Sequence, residues 1–163
     1  MAIRRLREDE WRAYRELRLR ALADSPNAFG STVDVEAAKA DDYWVKRLAT
    51  AASTSQLPLV AEVDDVFVGL VWGWLDPALP QEAQVFQMWV APEARGQTHG
   101  AQLLDAVISW ARQADAQSVQ LRVTCGDSAA RRLYVRAGFE PYGDPEPLRP
   151  GSGVLAQPMR LDL

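Results

Sequence analysis

The sequence predicts an α/β fold with a mixed sheet of about six to seven strands, antiparallel in its first half, and about four helices on its faces. Two observations predict it. Two β-rich runs flank Asp64-Asp65 and a third ends at Val90, which is the pattern of an antiparallel meander. An amphipathic helix and another β run follow, and such a strand, helix, strand crossover sets its two strands parallel.

The first third of the chain predicts one strand and two helices. Residues 2–6 are expected to form the strand and residues 8–23 the first helix, which ends at the turn-forming run 24–27. A second helix is expected over residues 34–50. The predicted buried stripes are Trp11, Tyr14, Leu17 and Ala21 in the first helix, and Trp44, Val45 and Leu48 in the second.

The first helix is rich in arginine, which raises the question of nucleic-acid binding. Glu8 with Arg12 and Glu16 with Arg20 have i,i+4 spacing, so we expect ion pairs on a solvated face. That spacing favours an ordinary surface helix over a nucleic-acid interface.

The centre of the chain predicts the meander and the crossover. Strands are expected over residues 57–63, 66–75, 84–90 and 118–124, and the crossover helix over residues 100–113. The apolar positions of that helix are Leu103, Leu104, Val107, Ile108 and Ala111. The carboxyl end of the strand before this helix is where open α/β sheets bind ligands.

The last third predicts one more helix and one more strand. The helix spans residues 128–136, with Asp127 as its N-cap and Gly138 after its end. Residues 141–153 contain four prolines and three glycines and are expected to form a loop. A final strand covers residues 154–161.

Length, net charge and cysteine count limit which classes of function the chain can have. The 163 residues fit one domain, taken here as residues 1–163. A net charge of −4 argues against nucleic-acid binding. Cys125, the single cysteine, cannot form an internal disulfide and has no zinc-ligand spacing beside it. We therefore expect a small buried or half-buried structural residue and no metal site. A reducing compartment is also expected. With no apolar N-terminal stretch, we expect a cytoplasmic protein without a membrane partner.

The most informative segment is V-A-P-E-A-R-G-Q-T-H-G-A, residues 90–101. A glycine-bearing loop that follows a strand and opens a helix presents free N–H groups and the positive end of the helix dipole, which suit a phosphate. Roughly thirty residues later, the run D-S-A-A-R-R-L-Y ends in Tyr134, which its helix can present beside the same ligand.

Together, the loop, the upstream meander, the D-x-x-A-x-x-L-Y run and the terminal G-F resemble the GNAT superfamily of acyl-CoA-dependent N-acyltransferases. The segment L-R-L-R-A-L-A-D-S-P-N-A-F-G-S-T is similar to a subgroup of its bacterial members. The resemblance implies direct transfer of an acetyl group from acetyl-CoA to a primary amine of a small molecule or protein. It implies that Tyr134 protonates the departing thiolate. The cofactor-binding residues it implies are Met88, Trp89, Val90, Arg95, Gly96, Gln97, Thr98, His99, Gly100, Ala101, Asp127 and Ala130.

Two positions depart from the family pattern. Thr98 replaces a glycine, which costs on the order of 1 kcal/mol if the position needs a positive φ. Asp127 stands where the family usually has asparagine, and an ionised carboxylate cannot donate a hydrogen bond. For His99, packing and phosphate contact are equally open.

The acceptor side is less defined by the sequence. No residue is an obvious general base, since Gln84 and Gln87 occupy the strand where many relatives have an acid. Candidate acceptor-site residues are Phe29, Trp72, Trp74 and Glu82, although core packing is the favoured role of both tryptophans and a solvated surface position that of Glu82. A non-catalytic acyl-CoA sensor or accessory protein is the alternative function, and a homodimer is possible because GNAT proteins are often dimers.

Overall fold

A computed structural model describes residues 2–163. Its centre is one eight-stranded mixed sheet with the strand order β1-β2-β3-β4-β5-β8-β6, and β7 also pairs with β8. The predicted α/β architecture is confirmed, with short strands added near the end of the chain. The strands are β1 Ala2–Arg5, β2 Gln56–Val63, β3 Val66–Leu75, β4 Glu82–Val90, β5 Ser118–Thr124, β6 Glu140–Pro141, β7 Glu146–Pro147 and β8 Leu155–Asp162.

Five α-helices pack on the two faces of the sheet. Trp72 on β3 lies against Tyr14 with ring centroids 5.4 Å apart, whereas a Cβ on the next residue, Gly73, would meet Trp110 at 3.0 Å. Successive strand residues point to opposite faces, so α1 and α4 lie on opposite sides of β3. The helices are α1 Trp11–Asp24, α2 Val33–Ala37, α3 Asp41–Ala51, α4 His99–Gln113 and α5 Ala129–Arg136.

The antiparallel half forms as the sequence predicts. β1, β2, β3 and β4 pair in order, each antiparallel to the next. Asp64 and Asp65 join β2 to β3 with φ values of 49° and 63°. Two consecutive positive φ angles give the turn that matches strand twist in two-residue hairpins.

The crossover also forms as predicted. β4 and β5 are parallel, and α4 connects them. All five of its predicted apolar positions are buried, so this helix contributes one continuous stripe to the core.

Two helix predictions need correction. The helix expected over residues 34–50 is two helices, because Ala40 is extended at φ −69° and ψ 161° and begins α3 as its N-cap. Val45 is 40% exposed, while Trp44 and Leu48 are buried as expected. In α5 the cap is Ser128, whose side chain accepts from Arg131 N, rather than Asp127.

The expected ion pairs on α1 do not form. Arg20 pairs instead with Glu93 at 2.7 Å, and Glu8–Arg12 and Glu16–Arg20 are not among the ion pairs of residues 2–163. Cys125 is exposed rather than half-buried. Within the same residues, no helix has both the length and the apolar character to cross a bilayer.

Candidate active site

A cleft opens where β4 and β5 separate. Their pairing ends with Gln84 opposite Gln120, yet β4 continues to Val90 and β5 to Thr124. The separation leaves main-chain N–H and C=O groups of β4 without a strand on that side. An extended ligand can pair with such a strand edge.

β4 is distorted at the mouth of this cleft. Gln87 has φ 57°, and the register between β3 and β4 shifts at this point. The Tyr14 hydroxyl donates to Gln87 Oε1 at 2.8 Å. Burial raises the pKa of Tyr14 to about 12, so the phenol keeps its proton at neutral pH and donates it to Gln87 in this hydrogen bond. A bulge of this kind redirects main-chain groups beside a site.

The loop after β4 places two residues in the left-handed region. Gly96 has φ 77° and Thr98 has φ 69°, so the expected cost of a threonine at this position applies. The first helical hydrogen bond of α4 runs from Gln102 N to Thr98 O at 3.0 Å. The N–H groups that open the helix, from His99 to Ala101, therefore have no acceptor inside the helix.

Three elements converge on Gly100. A Cβ here would lie 3.3 Å from Leu133 Cδ2, 3.7 Å from Val90 Cγ2 and 3.9 Å from Met88 Cε. The helix N-terminus can approach the end of β4 and α5 this closely because the residue is glycine. Free N–H groups, a positive helix end and an exposed loop that includes Gln97 fit a pyrophosphate.

The side chain of Arg95 is committed to protein contacts. Its Nε donates to Val90 O at 2.9 Å, and its Nη2 lies 2.7 Å from Asp24 Oδ2. The same carboxylate oxygen accepts from Trp89 Nε1 at 3.0 Å and from Ser25 Oγ at 2.8 Å. The hydrogen bonds from Trp89, Ser25 and Arg95 lower the pKa of Asp24 to about 2. Arg95 thus joins the end of α1 to the end of β4 instead of extending into the loop.

His99 packs inside the protein. It is 4% exposed, and neither ring nitrogen has a hydrogen-bond partner among the described residues. Of the two roles left open by the sequence, the geometry favours packing.

Tyr134 lies on α5, next to the Leu133 side chain that borders Gly100. Its ring is buried against Phe139 with centroids 5.9 Å apart. Burial raises the pKa of the Tyr134 phenol. A buried phenol with no hydrogen-bond partner among residues 2–163 can donate to an incoming ligand atom, since its own donor is unused.

Asp127 and Ala130 border this region from the surface. Both are exposed, and Asp127 Oδ1 accepts from Arg132 Nη1 at 2.7 Å. The carboxylate is therefore neutralised locally rather than turned into the cleft.

The structure separates Glu82 and Trp74 from the loop. Glu82 begins β4 and Val90 ends it, so about 26 Å of strand lies between them. Trp74 pairs with Gln84 near the same far end and packs on Phe86 at 6.2 Å between centroids. Trp72 is 1% exposed, and its Nε1 donates to Gln56, so it belongs to the core.

Phe29 is the candidate acceptor residue whose segment is bonded to the end of β5. It is buried in the non-helical segment 25–32 that joins α1 to α2. That segment is tied to the end of β5 by the Thr124 hydroxyl, which donates to Asn27 O. Arg149 Nη1 donates to Phe29 O at 2.8 Å.

Sequence reasoning missed four residues around the cleft: Asp24, Tyr14, Arg18 and Glu36. Asp24 was interpreted only as part of a helix stop, and Tyr14 only as part of an apolar stripe. Arg18 and Glu36 carry no local signal, because charged residues on amphipathic helices are ordinarily solvated.

Comparison with known proteins places this geometry in a family. The model of the acetyltransferase (GNAT) family matches residues 3–139. A Bacillus subtilis (strain 168) protein, provisionally named ribosomal protein bS18-alanine N-acetyltransferase, is 29% identical over 85 residues. That match covers 52% of this chain and 54% of the relative, so it spans about half the length of each.

Solved structures share the whole fold. An acetyltransferase of the GNAT family from Streptococcus pneumoniae superposes with a TM-score of 0.84 at 18% identity, covering 99% of both chains. The protein yncA from Salmonella typhimurium, solved with its cofactor acetyl-CoA, gives a TM-score of 0.82 at 19% identity, covering 100% of this chain and 94% of that one. At these identities the likeness concerns the fold.

Proposed function

This chain belongs to the GNAT acetyltransferase family, and from that premise we propose that it transfers an acetyl group from acetyl-CoA directly to a primary amine. The observation that carries the proposal is the separation of β4 from β5 beyond Gln84, which leads to the open N-terminus of α4. An extended thioester ligand with a pyrophosphate at one end matches a strand edge that ends at an anion site.

The cofactor residues act mainly through their main chain. The N–H groups from His99 to Ala101 hold the pyrophosphate, and Gly100 lets this end of the helix lie close to β4 and α5. Met88 to Val90 pair with the extended arm, and one of their N–H groups faces the carbonyl oxygen on which negative charge develops. Acetyl-CoA supplies the thioester that is cleaved.

Tyr134 donates a hydrogen bond to the departing sulfur. Because burial raises the pKa of this phenol, it carries its proton throughout the neutral range and can stabilise negative charge on sulfur. Arg95 does not bind phosphate in this mechanism. It holds Val90 and the end of α1 in place.

The amine proton leaves through water. Gln87 occupies the bulge of β4, and an amide cannot accept a proton at neutral pH. The Tyr14 hydroxyl beside it is already donating. A water held near these groups therefore accepts the proton of the amine. An acceptor amine of low pKa is already unprotonated at neutral pH and needs no base.

A peptide N-terminus is one candidate acceptor, since the Bacillus subtilis relative is named for an alanine of a ribosomal protein. That relative matches over about half its length, so small-molecule amines remain candidates too. A panel with both kinds of acceptor is required.

A second candidate function is acyl-CoA binding without turnover. It is favoured by one observation, the glutamine rather than a carboxylate at the bulge of β4. Calorimetric titration with acetyl-CoA, followed by thiol release with amines, separates the two. Binding with amine-dependent thiol release supports the transferase, and binding without release to any amine supports the sensor.

A further inference from the structure

A buried ion pair joins α1 to α2. Arg18 Nε donates to Glu36 Oε1 at 3.2 Å, and Arg18 Nη2 to Oε2 at 3.0 Å. Both side chains are only 7% exposed. Apolar residues of similar volume often stabilise a fold as well as a buried ion pair does, so stability alone does not explain this one.

The guanidinium of Arg18 has an unused donor. Its Nη1 is buried and has no hydrogen-bond partner among residues 2–163. Buried polar groups are nearly always paired, and an unpaired group on a charged side chain is especially costly. An atom that is unpaired in the ligand-free protein can be paired in the complex.

The position of Arg18 relates it to the proposed reaction centre. It follows Tyr14 by four residues, so the two side chains share one face of α1, and the Tyr14 hydroxyl contacts Gln87 at the bulge of β4. Phe29 lies with its ring centroid 4.8 Å from Arg18 Cζ, in the segment tied to the end of β5. Arg18 is therefore connected to the bulge of β4 through Tyr14 and to the end of β5 through the segment of Phe29, on the side of the sheet opposite α4.

We propose that Arg18, fixed by Glu36, binds an oxygen of the acceptor through Nη1, so that the acceptor is a primary amine carrying a carboxylate or an amide carbonyl. Free amino acids and peptide N-termini share this chemistry, whereas simple alkylamines lack it. The inference rests on the proposed acetyl transfer and names the acceptor class of that same site.

Phe29 controls access to this donor. Since Nη1 has no exposed surface and the phenyl ring covers the guanidinium, the acceptor reaches it when the segment 25–32 shifts. The segment has no helix or strand of its own, and its ties to the rest of the fold include two hydrogen bonds from Arg149 Nη1, to Pro26 O and Phe29 O, and one from the Thr124 hydroxyl. A ligand that supplies the missing hydrogen bond offsets the cost of that shift.

The test compares three amines on two proteins. The amines are L-alaninamide, L-alanine and isopropylamine, which present a carbonyl, a carboxylate and neither. The variant is Arg18→Met with Glu36→Leu, which removes both buried charges together and avoids leaving one unpaired. Arg12→Met, an exposed arginine on the same helix, is the matched control.

Two readouts are needed. Calorimetry measures amine binding to protein saturated with CoA, which has no acetyl group to transfer. Thiol release gives kcat/KM for each amine with acetyl-CoA. Comparing variant with wild type for each amine cancels the intrinsic reactivity differences among the amines.

We expect the double variant to bind L-alaninamide and L-alanine about 10-fold to 100-fold more weakly, with isopropylamine and acetyl-CoA affected less than about 2-fold. A greater loss for L-alanine identifies a carboxylate ligand, and a greater loss for L-alaninamide identifies a peptide carbonyl. Equal effects on all three amines, or none, would overturn the role of Arg18.

Two further measurements test the proposal even if the double variant does not fold. Arg18→Lys keeps the charge and loses the forked geometry, so an intermediate loss confined to oxygen-bearing amines is expected. In the wild type, L-alanine or L-alaninamide must bind more tightly than isopropylamine at equal free-amine concentration, and equal affinity of all three amines would overturn the proposal. Absence of thiol release from the wild type with every amine would contradict the acetyl transfer itself, while the binding titrations still report on Arg18.

Discussion

Asp24 and Arg95 form an ion pair of 2.7 Å that fastens the end of α1 to the loop before α4. The contact connects the two sides of the cleft, because α1 leads into the segment carrying Phe29 and Arg95 leads into the proposed phosphate-binding loop. Trp89 donates to the same carboxylate, so β4 is part of the connection. One carboxylate therefore positions the end of α1 relative to the loop that opens α4.

Replacing Asp24 with asparagine should loosen this connection. We expect the free energy of unfolding to fall by about 1 kcal/mol and the Kd for acetyl-CoA to rise about fivefold, since charge-assisted bonds to Arg95 and Trp89 weaken. Urea unfolding and calorimetry measure both. Asp42→Asn, which breaks the exposed pair with Lys46, is the control, and identical behaviour of the two variants would refute the role of Asp24.

The same carboxylate predicts a pH dependence of stability. The pKa of Asp24 is lowered from 3.8 to about 2 in the folded protein, so the ionised form is favoured by folding. Its contribution is complete above the unfolded pKa and is lost as the pH falls through the folded pKa. The stability difference between wild type and Asp24→Asn should be constant from pH 7 to about 5 and shrink between about 4 and 2. A difference that grows on acidification would contradict the assignment.

Tyr134→Phe removes the proposed donor to sulfur and little else, because the hydroxyl has no partner among the described residues. We expect kcat to fall about 100-fold or more, with the Kd for acetyl-CoA changed less than about 2-fold. Tyr142→Phe, which removes an exposed hydroxyl bonded to Gln120, should keep full activity. A Tyr134→Phe enzyme that retained half of kcat would exclude this role.

Thr98 offers a test of backbone strain. At φ 69° any side chain is unfavourable, so Thr98→Gly should be more stable than Thr98→Ala by about 1 kcal/mol, the reverse of their order inside a helix. Acetyl-CoA affinity should follow the same order. Equal or greater stability of the alanine variant, measured by urea unfolding, would show that the loop does not hold this conformation.

Gly73 tests the packing of α4 on the sheet. An added Cβ would lie 3.0 Å from Trp110 Cζ3 and 3.2 Å from Val107 Cγ1, so Gly73→Ala should destabilise by about 1 to 3 kcal/mol. Gly153→Ala meets nothing within 4 Å and should be neutral or slightly stabilising. Thermal unfolding of both variants checks the contrast, and equal melting temperatures would contradict the predicted contact.

Much of the fold follows from local pattern. Residues 118–124 are a strand in the prediction and in the structure, and α4 differs by one residue at its start, because strong periodicity and flanking turns define both. The break near Ala40 was not predicted, since the residues on both sides are compatible with a helix. The insertion of β8 between β5 and β6 is set by long-range pairing, which no local signal encodes.

In the candidate site, too, some features follow from local sequence motifs and others depend on contacts distant in the sequence. The loop that opens α4 and the helix carrying Tyr134 form where short motifs predict them, and their functional roles stay predictions. The bulge at Gln87 could not, since nothing in a β-rich run marks a glutamine for positive φ. Asp24, Arg18 and Glu36 are held by partners distant in the sequence, which no local pattern marks. Glu82 lies close in the sequence to the proposed site, but at the opposite end of β4.

The most direct test of acetyl transfer is thiol release by the purified protein at saturating acetyl-CoA, with and without an amine panel, with the acetylated amine identified by mass spectrometry. We predict amine-dependent release of one thiol for each acetylated amine, with acetyl-CoA binding confirmed by calorimetry on the same sample. Tight acetyl-CoA binding with no acetylated product from any amine would contradict the transferase. Absence of binding at millimolar acetyl-CoA would contradict the cofactor site as well.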